Sequence, residues 1–137
     1  MKTVMLVDDS PTMLMSLKAV LSKNGFATET AVHGRAAMDR LVAGLRPDLV
    51  ISDVNMPIMD GISFVRELRR VAGMRFVPVL MLTTESEQAK RAEAKAAGAT
   101  GWLVKPVAPA DLIGVLRQVL PGAPSRGASA RIQPSGR

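Results

Sequence analysis

The sequence predicts an α/β domain in which a five-stranded parallel sheet is covered on both faces by five helices. Three observations lead there. Short apolar runs recur along the chain, each too brief for a helix. Longer stretches between them carry Leu, Met or Val at spacings of three and four, the mark of a helix with one buried stripe. Strands and helices alternate strictly, which sends each crossover over a sheet face and makes neighbouring strands parallel.

The first strand is residues 3–7, TVMLV, followed by Asp8, Asp9, Ser10 and Pro11. Ser10 suits a helix N-cap, where its hydroxyl accepts from an early backbone N–H, and Pro11 suits the first helical position, where no amide hydrogen is needed. Leu14, Leu17 and Leu21 give the first helix its stripe and Gly25 its stop. Residues 26–32 form the second strand, an edge one, because Glu29 and two Thr residues interrupt its apolar character. Met38, Leu41 and Leu45 mark the second helix, closed by Pro47, with His33 as a solvated residue in the loop before it. Leu49, Val50 and Ile51 carry the third strand to Asp53 at its end, and Asn55, Pro57, Asp60 and Gly61 punctuate the loop that follows.

Phe64, Leu68 and Val71 mark the third helix, with Arg66, Arg69 and Arg70 off the stripe as a solvated face. Residues 77–82, VPVLML, form the fourth strand and lead to Thr83, Thr84 and Glu85. Residues 86–99 are helical by propensity but hold no large apolar side chain, leaving Ala89, Ala92 and Ala96 as core-facing candidates. Each Leu replaced by Ala there forgoes about 1–2 kcal/mol of burial, so this helix is expected to be the most loosely held. Trp102, Leu103 and Val104 form the fifth strand, ending at Lys105 and Pro106, and Leu112, Val115, Leu116 and Val119 the fifth helix.

The chain's 137 residues, 47% of them hydrophobic, suffice for one domain with one core. Without cysteine, neither disulfides nor thiolate metal sites are available. The opening MKTVMLVDD is too short and too soon acidic for a signal peptide or membrane span, so a cytoplasmic protein is expected. The net charge of +6 is uneven: residues 121–137 carry Arg126, Arg131 and Arg137 and no acid. That tail, rich in Pro, Gly and Ser, is expected to be disordered. With 3% aromatic residues the chain lacks the stacking platform of a single-strand nucleic-acid groove.

Asp53 alone reads as a strand-ending turn former. The loop Asp53, Asn55, Met56, Pro57, Met59, Asp60, Gly61 is far more specific. Together with the Asp8–Asp9 pair, the Thr83-x-Glu85 step and the Lys105–Pro106 step, it resembles response-regulator receiver domains over residues 2 to about 120. The resemblance implies a CheY-like, flavodoxin-like sheet of order 2-1-3-4-5, in keeping with the edge character of the second strand. Strands one and three are then neighbours, and Asp8, Asp9 and Asp53 converge. Three carboxylates together are costly to ionise, and an all-oxygen, partly hydrated cation site suits Mg²⁺.

Carried over to this chain, the resemblance makes Asp53 the nucleophile phosphorylated by a histidine kinase. Asp9 and Asp53 resemble direct metal ligands, with the backbone carbonyl of Asn55 as a third and Asp8 acting through water. Thr83 and Lys105 resemble the donors to phosphoryl oxygens, and Asn55 and Glu85 the pair that tunes hydrolysis. A cis bond between Lys105 and Pro106 is implied as well. Trp102 stands where the family usually has Tyr or Phe, the ring that turns inward when the threonine is drawn to phosphate; a switch and a fixed anchor are both open there.

The functional likeness is to stand-alone chemotaxis regulators, which dock on the flagellar switch through the face made by the fourth helix, fifth strand and fifth helix. A phosphate shuttle or sink in another relay is the alternative. A hydrolase of external phosphoesters has less support, since Asp53 is followed by Val54 and Asn55 and not by a D-x-D-x-T loop. Neither nucleic acid nor membrane insertion is expected.

Overall fold

The computed structural model describes residues 1–84 and 89–120, and the backbone of residues 133–134. Its elements are β1 (Thr3–Val7), α1 (Pro11–Lys23), β2 (Ala27–Ala31), α2 (Gly34–Val42), β3 (Leu49–Asp53), α3 (Gly61–Leu68), β4 (Val79–Thr83), α4 (Arg91–Ala97), β5 (Gly101–Val104), α5 (Pro109–Val119) and β6 (Gln133–Pro134). The first five strands are parallel in the order β2-β1-β3-β4-β5, as expected. A sixth strand was not expected: β6 lies antiparallel on the outer edge of β5. The rest of the tail, expected to be disordered, lies outside the described residues.

Successive strand residues point to opposite faces, so each strand feeds two cores. Val4, Leu6, Ile51, Leu80, Leu82 and Leu103 pack with Leu14, Leu17 and Leu21 of α1 and Leu112 and Leu116 of α5. Met5, Val50, Met81 and Trp102 pack on the other face with Met38, Phe64, Leu68, Ala94 and Ala97 of α2, α3 and α4. β3 and β4, central in the sheet, are buried along their whole length, while β2 at the margin is mostly half-buried.

Several local expectations hold. Ser10 caps α1 by accepting from the Met13 N–H, Pro11 opens the helix, and Gly25 ends it at φ 88°. Others are corrected. Gly44, at φ 119°, takes the turn after α2, so the helix ends at Val42 before Leu45 and Pro47 are reached. α3 stops at Leu68, and Val71 packs from the next turn. His33 is not merely a loop residue: its Nδ1 accepts from the Ala36 N–H at 3.1 Å and caps α2.

Arg69 does not belong to a solvated face. Its Nε and Nη2 both donate to the Gly98 carbonyl, at 3.0 and 2.7 Å, and its Nη1 donates to the carbonyls of Met74, Arg75 and Val77. One guanidinium thus joins the end of α3, the approach to β4 and the turn after α4. Burial lowers its pKa, and these carbonyls answer the desolvation with hydrogen bonds.

The fourth helix is shorter than expected and turned differently. α4 has seven residues, with Ala94 and Ala97 inward, while Ala89, Ala92 and Ala96 are exposed. Alanines on every side give a sequence no phase to read. The start of the expected helix, residues 86–88, lies outside the described residues.

Candidate functional site

The register of the sheet assembles the site. Val7 lies beside Ser52, Asp53 beside Leu82, and Thr83 beside Val104, so the C-terminal ends of β1, β3, β4 and β5 bring Asp8, Asp53, Thr83 and Lys105 to one edge. Asp53 is held firmly from behind. A Cβ on Gly61 would stand 2.0 Å from the Asp53 carbonyl oxygen, so only glycine lets α3 begin so close to β3. The Gly61 N–H donates to the Val54 carbonyl at 2.8 Å, and Asp60 caps α3 through the Ser63 N–H at 2.8 Å. Between them, the Met59 N–H donates to the Pro57 carbonyl at 2.7 Å around Ile58, whose φ of 69° is rare for a β-branched residue.

Lys105 Nζ lies 3.1 Å from Asp53 Oδ1 and 3.8 Å from Asp8 Oδ2. Its backbone is fixed by an N–H bond to the Thr83 carbonyl at 2.7 Å, and the Lys105–Pro106 bond is cis, as implied by the resemblance. Asp53 Oδ1 also accepts from the Val54 N–H at 2.8 Å. Burial, and next the negative charge of Asp8, push the Asp53 pKa above the ordinary carboxylate range; Lys105 and the Val54 N–H oppose this without cancelling it.

Among the described residues, two buried side-chain oxygens have no hydrogen-bond partner, Asp8 Oδ2 and Thr83 Oγ1. Orphaned polar atoms are costly inside a protein, and both lie at this strand edge, where a bound group would satisfy them. Ligand oxygens of Asp8, Asp9 and Asp53 all lie within 4.8 Å of one another. Three carboxylates facing one ammonium leave a formal charge of −2, which a divalent cation neutralises. An oxygen-only donor set with exposed Asp9 open to water fits Mg²⁺.

Of the remaining predicted residues, Asn55 is exposed, and its side-chain oxygen accepts from Lys90 Nζ at 2.9 Å. Glu85 lies outside the described residues. Trp102 is 2% exposed, with the Arg91 guanidinium 4.0 Å from its ring centroid. Lys90 and Arg91 were not singled out in the sequence. They sit at the start of an alanine helix whose phase was unreadable, and nothing local marked them apart from other surface bases.

Comparison with known proteins agrees with this fold. The chemotaxis response regulator CheY4 of Vibrio cholerae superposes with a TM-score of 0.81 at 45% identity, over 88% of this chain and 99% of that one. The receiver domain of a Pseudomonas aeruginosa sensor histidine kinase, solved with magnesium coordinated in its active-site cleft, is 29% identical with a TM-score of 0.78, over 85% and 95%. Protein PilH of Pseudomonas aeruginosa is 33% identical over 89% of this chain and its own whole length. Response regulator MprA of Mycolicibacterium vanbaalenii is 38% identical over 85% of the chain, which spans about half the length of that relative. The model of the response regulator receiver domain matches residues 4–117, and the chain belongs to that family.

Proposed function

We propose that this receiver domain takes a phosphoryl group from the phosphohistidine of a histidine kinase onto Asp53, in a Mg²⁺-dependent reaction in the cytoplasm. It then signals by phosphorylation-dependent protein binding, in chemotaxis, with the flagellar switch as the target class. The chemotaxis setting rests on the likeness to CheY4. The phosphoacceptor reading rests on one observation above all: a buried carboxylate, an ammonium 3.1 Å away and an orphaned buried hydroxyl share one strand edge.

Lys105 and the Val54 N–H hold Asp53 Oδ1, leaving Oδ2 to attack phosphorus. The N–P bond of the donor breaks as the O–P bond forms, and its electron pair leaves with the imidazole. Desolvation makes the carboxylate more basic than in water, and hence a better nucleophile. Charge then builds on the phosphoryl oxygens, where Lys105 Nζ and Thr83 Oγ1 act as donors. Mg²⁺ held by Asp8, Asp9, Asp53 and the Asn55 carbonyl would supply further neutralisation of those oxygens.

Mass spectrometry after acetyl phosphate and Mg²⁺ is expected to show one added phosphoryl group, absent in Asp53→Ala. Full labelling of that variant overturns the assignment. Asn55 and Glu85 lead us to expect decay within seconds to a few minutes; a lifetime of hours points to the shuttle or sink.

A further inference from the structure

We propose that the C-terminal segment at Gln133–Pro134 is a resident strand on the open edge of β5, occupying it within the same molecule. β5 ends the parallel array, so one side of its backbone carries N–H and C=O groups that no parallel neighbour satisfies. The Thr100 N–H donates to the Val79 carbonyl, on the β4 side. Successive amides of a strand point to opposite sides, so those of Gly101 and Leu103 face the outer edge. β6 lies along that edge, antiparallel, with Pro134 beside Gly101 and Gln133 beside Trp102.

The chemistry of the segment suits a short, reversible occupant. Proline has no N–H to donate, so Pro134 limits how far the ladder can run, and proline in a sheet belongs at an edge. Gly101 offers no side chain to obstruct the approach. Twelve residues separate Leu120 from Gln133, and a covalent connection of that length gives roughly millimolar effective concentration, so even a weak strand stays close to its edge. A partner that takes the β5 edge must displace β6. That consequence rests on the proposed function, together with the docking face of the fourth helix, fifth strand and fifth helix that the resemblance implies; the pairing itself does not.

Amide hydrogen exchange in the full chain, wild type against Gln133→Pro, tests the pairing. Together with Pro134 the substitution makes a Pro–Pro step, which holds φ near −65° in place of the extended strand value within β6. The Gly101 amide is expected to exchange at least tenfold faster in the variant, with Thr100 unchanged because it faces β4. Equal exchange in both proteins overturns the proposal. So does protection that rises with protein concentration, since the strand would then come from a second copy. Labelling of Asp53 by acetyl phosphate, followed in the same samples, reads the phosphoacceptor function separately from the pairing.

Discussion

The turn from β3 into α3 and the corner where α4 meets β5 both border the candidate site, yet they are held in opposite ways. Around Asp53 almost every backbone group is fixed: the strand is fully buried, Gly61 is pressed against the Asp53 carbonyl, and α3 starts on a side-chain cap. α4 has no side-chain N-cap bond, seven residues and two buried alanines. Among the described residues, long cations add to the packing of those alanines: Arg69 on Gly98, Arg91 over Trp102 and Lys90 on Asn55. Rigid backbone contact holds a carboxylate against pre-set donors, whereas tethers of flexible side chains let a short helix shift at low cost.

The rigid corner gives the largest expected effect. Gly61→Ala places a Cβ 2.0 Å from a backbone oxygen that has no room to retreat. The cost is expected near the top of the overpacking range, about 3 kcal/mol. Denaturant unfolding measures it, and acetyl phosphate labelling should fall as well because Asp53 is displaced. A loss below about 1 kcal/mol would show that the corner yields and would break the contrast.

Next comes the tethered corner. Arg69→Ala leaves the Gly98, Met74 and Val77 carbonyls without their guanidinium and is expected to cost about 2 kcal/mol. Arg66→Ala, three residues earlier and exposed, is expected within about 0.5 kcal/mol of wild type. If the two substitutions cost the same, α4 is not held through Arg69.

These residues also show what the sequence could tell. Ser10, Pro11 and Gly25 announced α1 because caps act through residues next to them in the chain. The strand-end residues were legible for a similar reason: strand and motif are local, and a parallel sheet brings all such ends to one edge. Arg69 was not legible, since its partner Gly98 lies 29 residues away and two similar arginines flank it. The phase of α4 was hidden by uniform alanine. The edge position of β6 was hidden because two residues in a polar, proline-rich tail have no period.

A third, smaller effect follows from charge at the rigid corner. The folded state raises the Asp53 pKa, so it holds that proton more tightly than the unfolded chain does. The contribution to stability is fully present below the ordinary carboxylate pKa and is lost as pH rises through the raised one. In EDTA, Asp53→Asn is therefore expected to melt progressively higher than wild type as pH climbs through that window, with the gap constant above it. Mg²⁺ should narrow the gap by binding the ionised site. A gap that shrinks with rising pH in EDTA would mean that Lys105 outweighs burial and Asp8.

The smallest expected effect concerns Ile58, where the rigid corner is held against a local preference. Its φ of 69° is the one positive value outside glycine among the described residues, and its side chain is 78% exposed, so burial offsets little of the strain. The left-handed conformation costs roughly 1–2 kcal/mol for an ordinary residue, and less for asparagine. Ile58→Asn is thus expected to stabilise the protein by about 1 kcal/mol, raising the melting temperature by roughly 3 °C. If labelling by acetyl phosphate keeps its rate, the strain is a cost imposed by neighbouring bonds such as Met59 N–H to Pro57 and Gly34 N–H to Met59. If labelling slows while stability rises, the strained turn itself helps to aim Asp53, and the rigidity of this corner serves the chemistry directly.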